Sequence, residues 1–280
     1  SGDWLDGYGG VLYSLASQMD LSGGERSANN VAIVGNLFDR NEADCTANVC
    51  ELRRIVESLD LRLVSTWFSG GDFESLRGIR HAETIVSLPY GRRAARCIAK
   101  RTGAKLLELP LPFGFAQSEA FVEGLAAAVG RPQLGRQFIE RELARVVPRL
   151  EWVVPFVMQG KRFGYIGEPN LVTGLCSMAN MVGAKLQFAV ITNRPEAARA
   201  ASIGADSYDT LIYPKMKSLA QYMSKASQEN SFDLLITNNI GFLGYPGAVL
   251  EFGFPSSFRH ALYERPFLGF NGALAFLDSV

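Results

Sequence analysis

Short runs of β-branched and other apolar residues alternate along this chain with longer segments whose apolar positions recur every three or four residues. That alternation predicts parallel strands joined by crossover helices. Residues 31–34 (VAIV) read as a buried strand closed by Gly35, and the helix after it covers about 43–59, with Leu52, Ile55, Val56 and Leu59 on one face. Strands follow at 61–65, 84–88 and 105–109, separated by a short helix near 73–78 and a helix at 92–101; a further helix covers about 118–129. After helical, charge-alternating stretches between 133 and 158 the pattern restarts. It gives a strand at 162–166, a helix at 170–181, strands at 185–191 and 211–213, a helix at 216–227, strands at 234–237 and 249–252, and a final apolar helix from Ala273. The predicted fold is therefore α/β, with two open, mostly parallel Rossmann-like units. The expected division is a lead-in helix and loop (1–27), a first unit (28–131), a helical connector (132–159) and a second unit with the C-terminal helix (160–280). In such folds ligands bind at the carboxyl ends of the strands and between units.

Composition narrows the function classes. With 280 residues, 48% of them hydrophobic, the chain is long enough to bury a large core. Its 28 basic and 28 acidic side chains cancel, so long-range attraction to nucleic acid or to an anionic membrane is not expected. No apolar run reaches the roughly 20 residues of a membrane helix. The start, SGDWLDGYGG, has neither the basic nor the apolar part of a signal peptide, which makes a cytoplasmic protein the expectation.

Candidate chemistry is sparse. Nothing matches the Gly-rich dinucleotide fingerprint or the phosphate-binding loop. Cys45, Cys50, Cys97 and Cys176 are too few for a disulfide framework. Cys45 and Cys50 stand about 140° apart on a helix, a poor geometry for sharing a metal. All four read as structural thiols. His81 and His260, the two histidines of the chain, leave almost no raw material for a multi-histidine metal site or a catalytic triad. His81 reads as a surface residue. His260, beside Arg259 in a carboxyl-end loop, is the ligand-binding or interface candidate, on the general bias of loops toward function. The basic helix with Arg92, Arg93, Arg96, Lys100 and Arg101 suits an anion or a partner, and suits a solvated helix face better. Glu168, Asp206, Asp209 and Asp233 all fall near strand ends, with no spacing that forces two together.

The most distinctive stretch is 253–277, GFPSSFRHALYERPFLGFNGALAFL. Gly253-Phe254-Pro255, Arg259-His260 and Leu268-Gly269-Phe270-Asn271-Gly272-Ala273 match in order and spacing the end of β-type subunits of the nitrogenase component 1 type oxidoreductase family. Gly160-Lys161-Arg162-Phe163, Gly167-Glu168-Pro169, residues 82–89 (AETIVSLP), residues 109–114 and the head from Gly2-Asp3-Trp4 through Gly7-Tyr8 to Met19 also resemble that family. The resemblance spans nearly the whole chain.

The resemblance implies two of the three α/β domains of a longer β-like subunit. Such a subunit would pair with an α-like component 1 subunit and receive electrons from an ATP-dependent iron–sulfur reductase. An iron–sulfur cluster or metallocluster is implied for the full complex. None is expected in this chain, because the family's cluster cysteines come from an N-terminal domain, and Ser87-Leu88-Pro89 stands where α-type subunits carry a cofactor cysteine. No catalytic residue and no metal ligand is carried over. The expected role is scaffold and subunit interface for iron–sulfur-dependent reduction, with the isolated chain inactive. A cofactor-assembly scaffold and a tetrapyrrole reductase subunit are alternatives in the same family. A two-domain small-ligand binding protein or glycosyltransferase is the alternative from another class.

Overall fold

The strand predicted from the VAIV run, β1 (Ser27–Val34), is central to its sheet. In the computed structural model Val31, Ala32, Ile33 and Val34 have no exposed surface, as a parallel strand covered on both faces requires. The structure describes residues 2–38, 42–201, 203, 208–238, 247–255 and 260–280. The chain divides into two units, Ser1–Ala144 with Ala261–Ala275, and Arg145–His260 with Phe276–Val280.

The first unit contains α1 (Trp4–Gln18), β1, α2 (Ala43–Glu57), β2 (Arg62–Thr66), α3 (Phe73–Arg77), β3 (Ala82–Ser87), α4 (Arg92–Thr102), β4 (Lys105–Glu108), α5 (Phe115–Ala128) and the greater part of α6 (Pro132–Leu150). Its sheet has the order β2-β1-β3-β4, with every pairing parallel. The second unit contains β5 (Arg162–Gly167), α7 (Val172–Met181), β6 (Lys185–Ile191), α8 (Pro195–Ala200), β7 (Asp209–Ile212), α9 (Met216–Gln228), β8 (Leu234–Thr237) and β9 (Ala248–Glu251), with the parallel order β7-β6-β5-β8-β9. The last helix is α10 (Gly269–Ser279). The α/β fold with two parallel sheets is the one the periodicity predicts.

Several boundaries differ from that expectation for local reasons. β1 begins at Ser27, because its exposed first residues carry no apolar signal. The six-residue α8, opened by Pro195 as its first residue, is too short to show a period. α10 opens at Gly269, four residues before the expected Ala273. Gly269 has φ +71, a conformation that glycine adopts without strain.

Arg93, Arg96, Lys100 and Arg101 of the basic helix are exposed, as a solvated face requires, and several of them also bind within the unit. Ala94, Ala95, Ile98 and Ala99 of α4 are buried, and small side chains there allow close approach to Leu12 and Ala16 of α1. Arg101 donates to the carbonyls of Ala16 and Met19 at the end of α1, where orphan acceptors need donors. The Arg93 guanidinium lies 3.9 Å from the Tyr13 ring centroid, and Arg96 reaches Glu108 at 2.7 Å. At the other end of α1, Asp3 accepts from the Asp6 amide while the Asp6 carboxylate accepts from the Asp3 amide, a capping box that secures its start.

In the second unit the Phe188 ring is met edge-on by Tyr222 and Phe232, at centroid distances of 5.4 and 5.2 Å. Asp233 closes the entry to β5 and β8 by accepting from the backbone and guanidinium of Arg162, which holds its carboxyl below the usual range. Burial first, and the neighbouring Glu168 second, push the Tyr165 phenol well up; burial and then Asp209 push Tyr222 up to about 12. A phenol with a raised folded pKa binds its proton more tightly folded than unfolded. Its stabilising contribution is therefore complete below the unfolded value of about 10 and lost as pH rises above it. The urea midpoint of this unit is expected to hold steady at neutral pH and fall as pH climbs from about 10 toward 12. Tyr165→Phe forfeits the hydrogen bond to the Glu168 carbonyl, at about 1 kcal/mol near neutrality, and flattens the alkaline decline. Tyrosinate absorbance followed alongside unfolding checks both, and an unchanged alkaline slope in Tyr165→Phe would contradict them.

Candidate functional site

The distinctive C-terminal stretch is held by polar side chains on α2. The Asn48 side-chain oxygen accepts from the amides of Phe267 and Leu268, at 2.9 and 3.0 Å. Glu51 Oε1 accepts from the Asn271 amide at 3.2 Å, and its Oε2 from the Asn271 side chain at 2.7 Å. Just before the helix, Glu42 accepts from the Ala261 amide at 2.7 Å. Asn48 and Glu51 are 1% and 4% exposed, so these bonds replace water that neither residue can reach. Arg54 binds Glu51 and also Glu142, at 2.7 and 2.6 Å, and its guanidinium stands 5.2 Å from the Phe138 ring centroid. Burial by itself would lower the Arg54 pKa, but the two carboxylates more than offset that and raise it. Phe270, fully buried, meets Phe138 edge-on and Phe115 at a tilt. A β carbon on Gly269 would stand 2.5 Å from Glu51 Cγ, and one on Gly272 would stand 2.2 Å from the Phe267 carbonyl carbon. Leu268-Gly269-Phe270-Asn271-Gly272 is thus a docking element, its glycines set by contact.

The periodicity of α2 predicts its apolar face and gives Asn48 and Glu51 no role. The signal was available: both lie on the same stripe as Leu52 and Ile55, at spacings of three and four. Polar residues inside an apolar stripe point to buried partners.

At the carboxyl end of the second sheet, Ile166 of β5 pairs with Thr237 of β8, at the point where the strand order reverses. Glu168, Thr237 and Asn238 just beyond are all buried. Glu168 Oε2 accepts from the backbone and side chain of Asn170, at 2.8 and 2.9 Å, which orients the turn into α7. Asn238 donates to the carbonyls of Phe254 and Pro255 at 3.0 and 3.3 Å, so it holds the Gly253-Phe254-Pro255 turn. Of the residues singled out in sequence, Arg259 and Asp206 lie outside the described residues, and His260 is exposed. Asp209 opens β7 beside the Tyr222 hydroxyl, and Asp233 is paired with Arg162; neither stands with Glu168 as a catalytic carboxylate pair. His81 places Nδ1 3.1 Å from the Glu25 carbonyl.

In the first unit the corresponding reversal lies between β1 and β3. There Gly35 and Gly91 are in backbone contact: a β carbon on Gly35 would stand 2.4 Å from the Gly91 nitrogen, and one on Gly91 2.6 Å from the Gly35 Cα. The cysteines do not converge. Cys45 is buried and Cys50 exposed on α2, while Cys97 on α4 and Cys176 on α7 are half-buried rather than fully enclosed. The Cys97 sulfur lies 3.7 Å from the Ala16 carbonyl, and the Cys176 sulfur 3.7 Å from Asn180 Nδ2. Among the described residues no group of three or more His, Cys, Asp and Glu side chains is placed to hold a metal ion. These donors do not fit a cluster site.

The model of one family, nitrogenase component 1 type oxidoreductase, matches residues 1–280. The chain belongs to that family. It is 22% identical over 223 residues to the nitrogenase molybdenum-iron protein beta chain of Clostridium pasteurianum, covering 75% of this chain and 47% of that one. It is likewise 22% identical over 219 residues to the nitrogenase vanadium-iron protein beta chain of Trichormus variabilis, covering 74% and 47%. This component 1 type chain thus spans about half the length of the curated relatives it matches. A solved structure described as nitrogenase Cp1 at pH 6.5 superposes with a TM-score of 0.77 at 18% identity, over 99% of this chain and 64% of that one. That likeness bears on the fold. Among the described residues, no helix is long and apolar enough to cross a membrane.

Proposed function

We propose that this component 1 type chain serves as scaffold and subunit interface in a nitrogenase-like oxidoreductase of the cytoplasm. In this reading it pairs with an α-like component 1 subunit, and an ATP-dependent iron–sulfur reductase delivers electrons to a metallocluster held by other parts of the complex. The observation that carries the reading is the family match across all 280 residues, joined by similarity to beta chains of nitrogenases. The use of the C-terminal signature for internal docking supports a structural role for that stretch.

Anaerobic purification of the full-length gene product with its partner subunits, followed by iron analysis and visible absorption, tests the proposal. Expected are a stable complex with an α-like chain, iron in that complex, and no stoichiometric iron on this chain alone. A complete complex without iron would overturn the redox role; iron held by this chain alone would overturn the scaffold role. Arg259 and His260 are assigned to the interface. The double variant Arg259→Ala/His260→Ala is expected to weaken capture of the α-like partner at least about tenfold, or about 1.4 kcal/mol, with an unchanged unfolding midpoint. Unaltered capture would remove these residues from the interface.

A further inference from the structure

A cleft of about 390 Å³ opens in the first unit beyond the carboxyl ends of β1 and β2, beside α1. Its volume lies in the range of small-molecule sites. Tyr8, Leu15, Phe38, Phe68, Phe73 and Leu76 form its walls, and the turn from Ser69 to Asp72 forms its one polar edge. The tail dock and the polar carboxyl-end layer of the second sheet do not contribute to it.

Three features set the cleft apart from ordinary surface. Phe68 has φ +58, a strained backbone for a bulky residue, and strain of that kind collects at binding sites. Its ring meets Tyr8 edge-on at 5.7 Å and is only half-buried, so the strained residue presents an aromatic wall to the opening. Phe73, on the first turn of α3, is 54% exposed at the rim, although its neighbour Leu76 is buried. The wall at Tyr8 is held rigidly, because its hydroxyl donates to the Asn36 carbonyl at 2.7 Å and accepts from the Phe38 amide at 3.1 Å.

The lining decides the class of occupant. Among the described residues, none of the ten that line it is Lys, Arg or His, so this lining offers no cation to an anion. Its single carboxylate, Asp72, already accepts from the Ser75 amide at 2.8 Å. Aromatic walls at this volume suit a fused or paired ring system, which they contact through faces and edges. We propose that this cleft binds a neutral, flat aromatic small molecule, with its rings against Tyr8, Phe68 and Phe73 and one polar edge toward the turn at Gly70 and Gly71.

Titration with N-phenyl-1-naphthylamine, a neutral two-ring probe that fluoresces in apolar sites, tests the proposal on the purified chain and on the full-length complex. Saturable binding with one site per chain is expected in both. Phe73→Ala, at an exposed position, is expected to weaken it at least fivefold, and Ser69→Trp, which fills the cleft, to abolish it, with thermal unfolding retained in each. Phe156→Ala, in the exposed Trp152–Phe156 stack of the second unit, is expected to leave binding unchanged. Absence of saturable binding, insensitivity to both cleft variants, or loss on Phe156→Ala would overturn the proposal. So would binding by the free chain that disappears in the complex, which would make the cleft a seat for a partner's apolar side chain.

Discussion

Gly35→Ala is expected to destabilise the first unit by about 4 kcal/mol or more, the sum of a left-handed backbone strain of about 1–3 kcal/mol and overpacking of similar size. Gly35 has φ +93, and the added carbon would meet the Gly91 backbone at 2.4 Å and the Leu88 carbonyl at 2.7 Å. Backbone cannot rotate aside as a side chain can, so β1 and the turn after β3 must separate. That separation breaks the bond from the Leu88 amide to the Val34 carbonyl and loosens strands that have no exposed surface. Gly130→Ala, in the same unit, is the control: φ is +75 but nothing lies within 4 Å, so only the strain of about 1 kcal/mol remains. Urea unfolding followed by fluorescence of Trp67, fully buried in the first unit, measures the difference. If both variants unfold at the same midpoint, the Gly35–Gly91 contact does not set the strand spacing.

Glu51→Ala is the second large effect, with an expected loss of about 3–5 kcal/mol. The carboxylate is almost wholly buried and serves three groups: the Asn271 amide, the Asn271 side chain and the Arg54 guanidinium. Its removal takes one acceptor from two half-buried donors on Asn271 and deprives Arg54 of one of its two carboxylates. The tail should loosen before the rest of the unit, so protease cleavage within 261–275 is expected to accelerate well before global unfolding. Glu51→Gln retains an acceptor and most of the volume but loses the charge, and is expected to cost about half as much. A tail in Glu51→Ala as resistant as that of the wild type would show that Asn48 and the Phe270 packing hold it without the carboxylate.

These two sites differ in how far the chain announces them. Gly35 closes an apolar run, so a turn glycine was expected there. That its hydrogen faces Gly91 was not, because contact between segments fifty-six positions apart leaves no local period. Asn48 and Glu51 were legible in part, as polar residues on an apolar stripe, yet their partners lie some 220 positions away. The basic outer face of α4 was legible as a solvated face, while the contacts its cations make were not. Charge along a helix shows which side chains are cationic, but whether water, an anion or the carbonyls at the end of α1 receive them depends on what the helix packs against. The aromatic cleft had no signature at all, since Tyr8, Phe38, Phe68 and Phe73 come from separate segments with no shared spacing.

Residue order alone carried the element types, the α/β class and the family resemblance. Burial repeats with the period of a strand or a helix, and Gly and Pro mark the turns, so each element is written in its own few residues. Only the folded chain assigned Ala261–Ala275 to the first unit, turned its distinctive motif into a dock on α2, and packed Gly35 against Gly91. Those outcomes depend on which distant surfaces meet and on which buried polar atoms find partners there. That is a property of three-dimensional packing, and no window of neighbouring residues contains it.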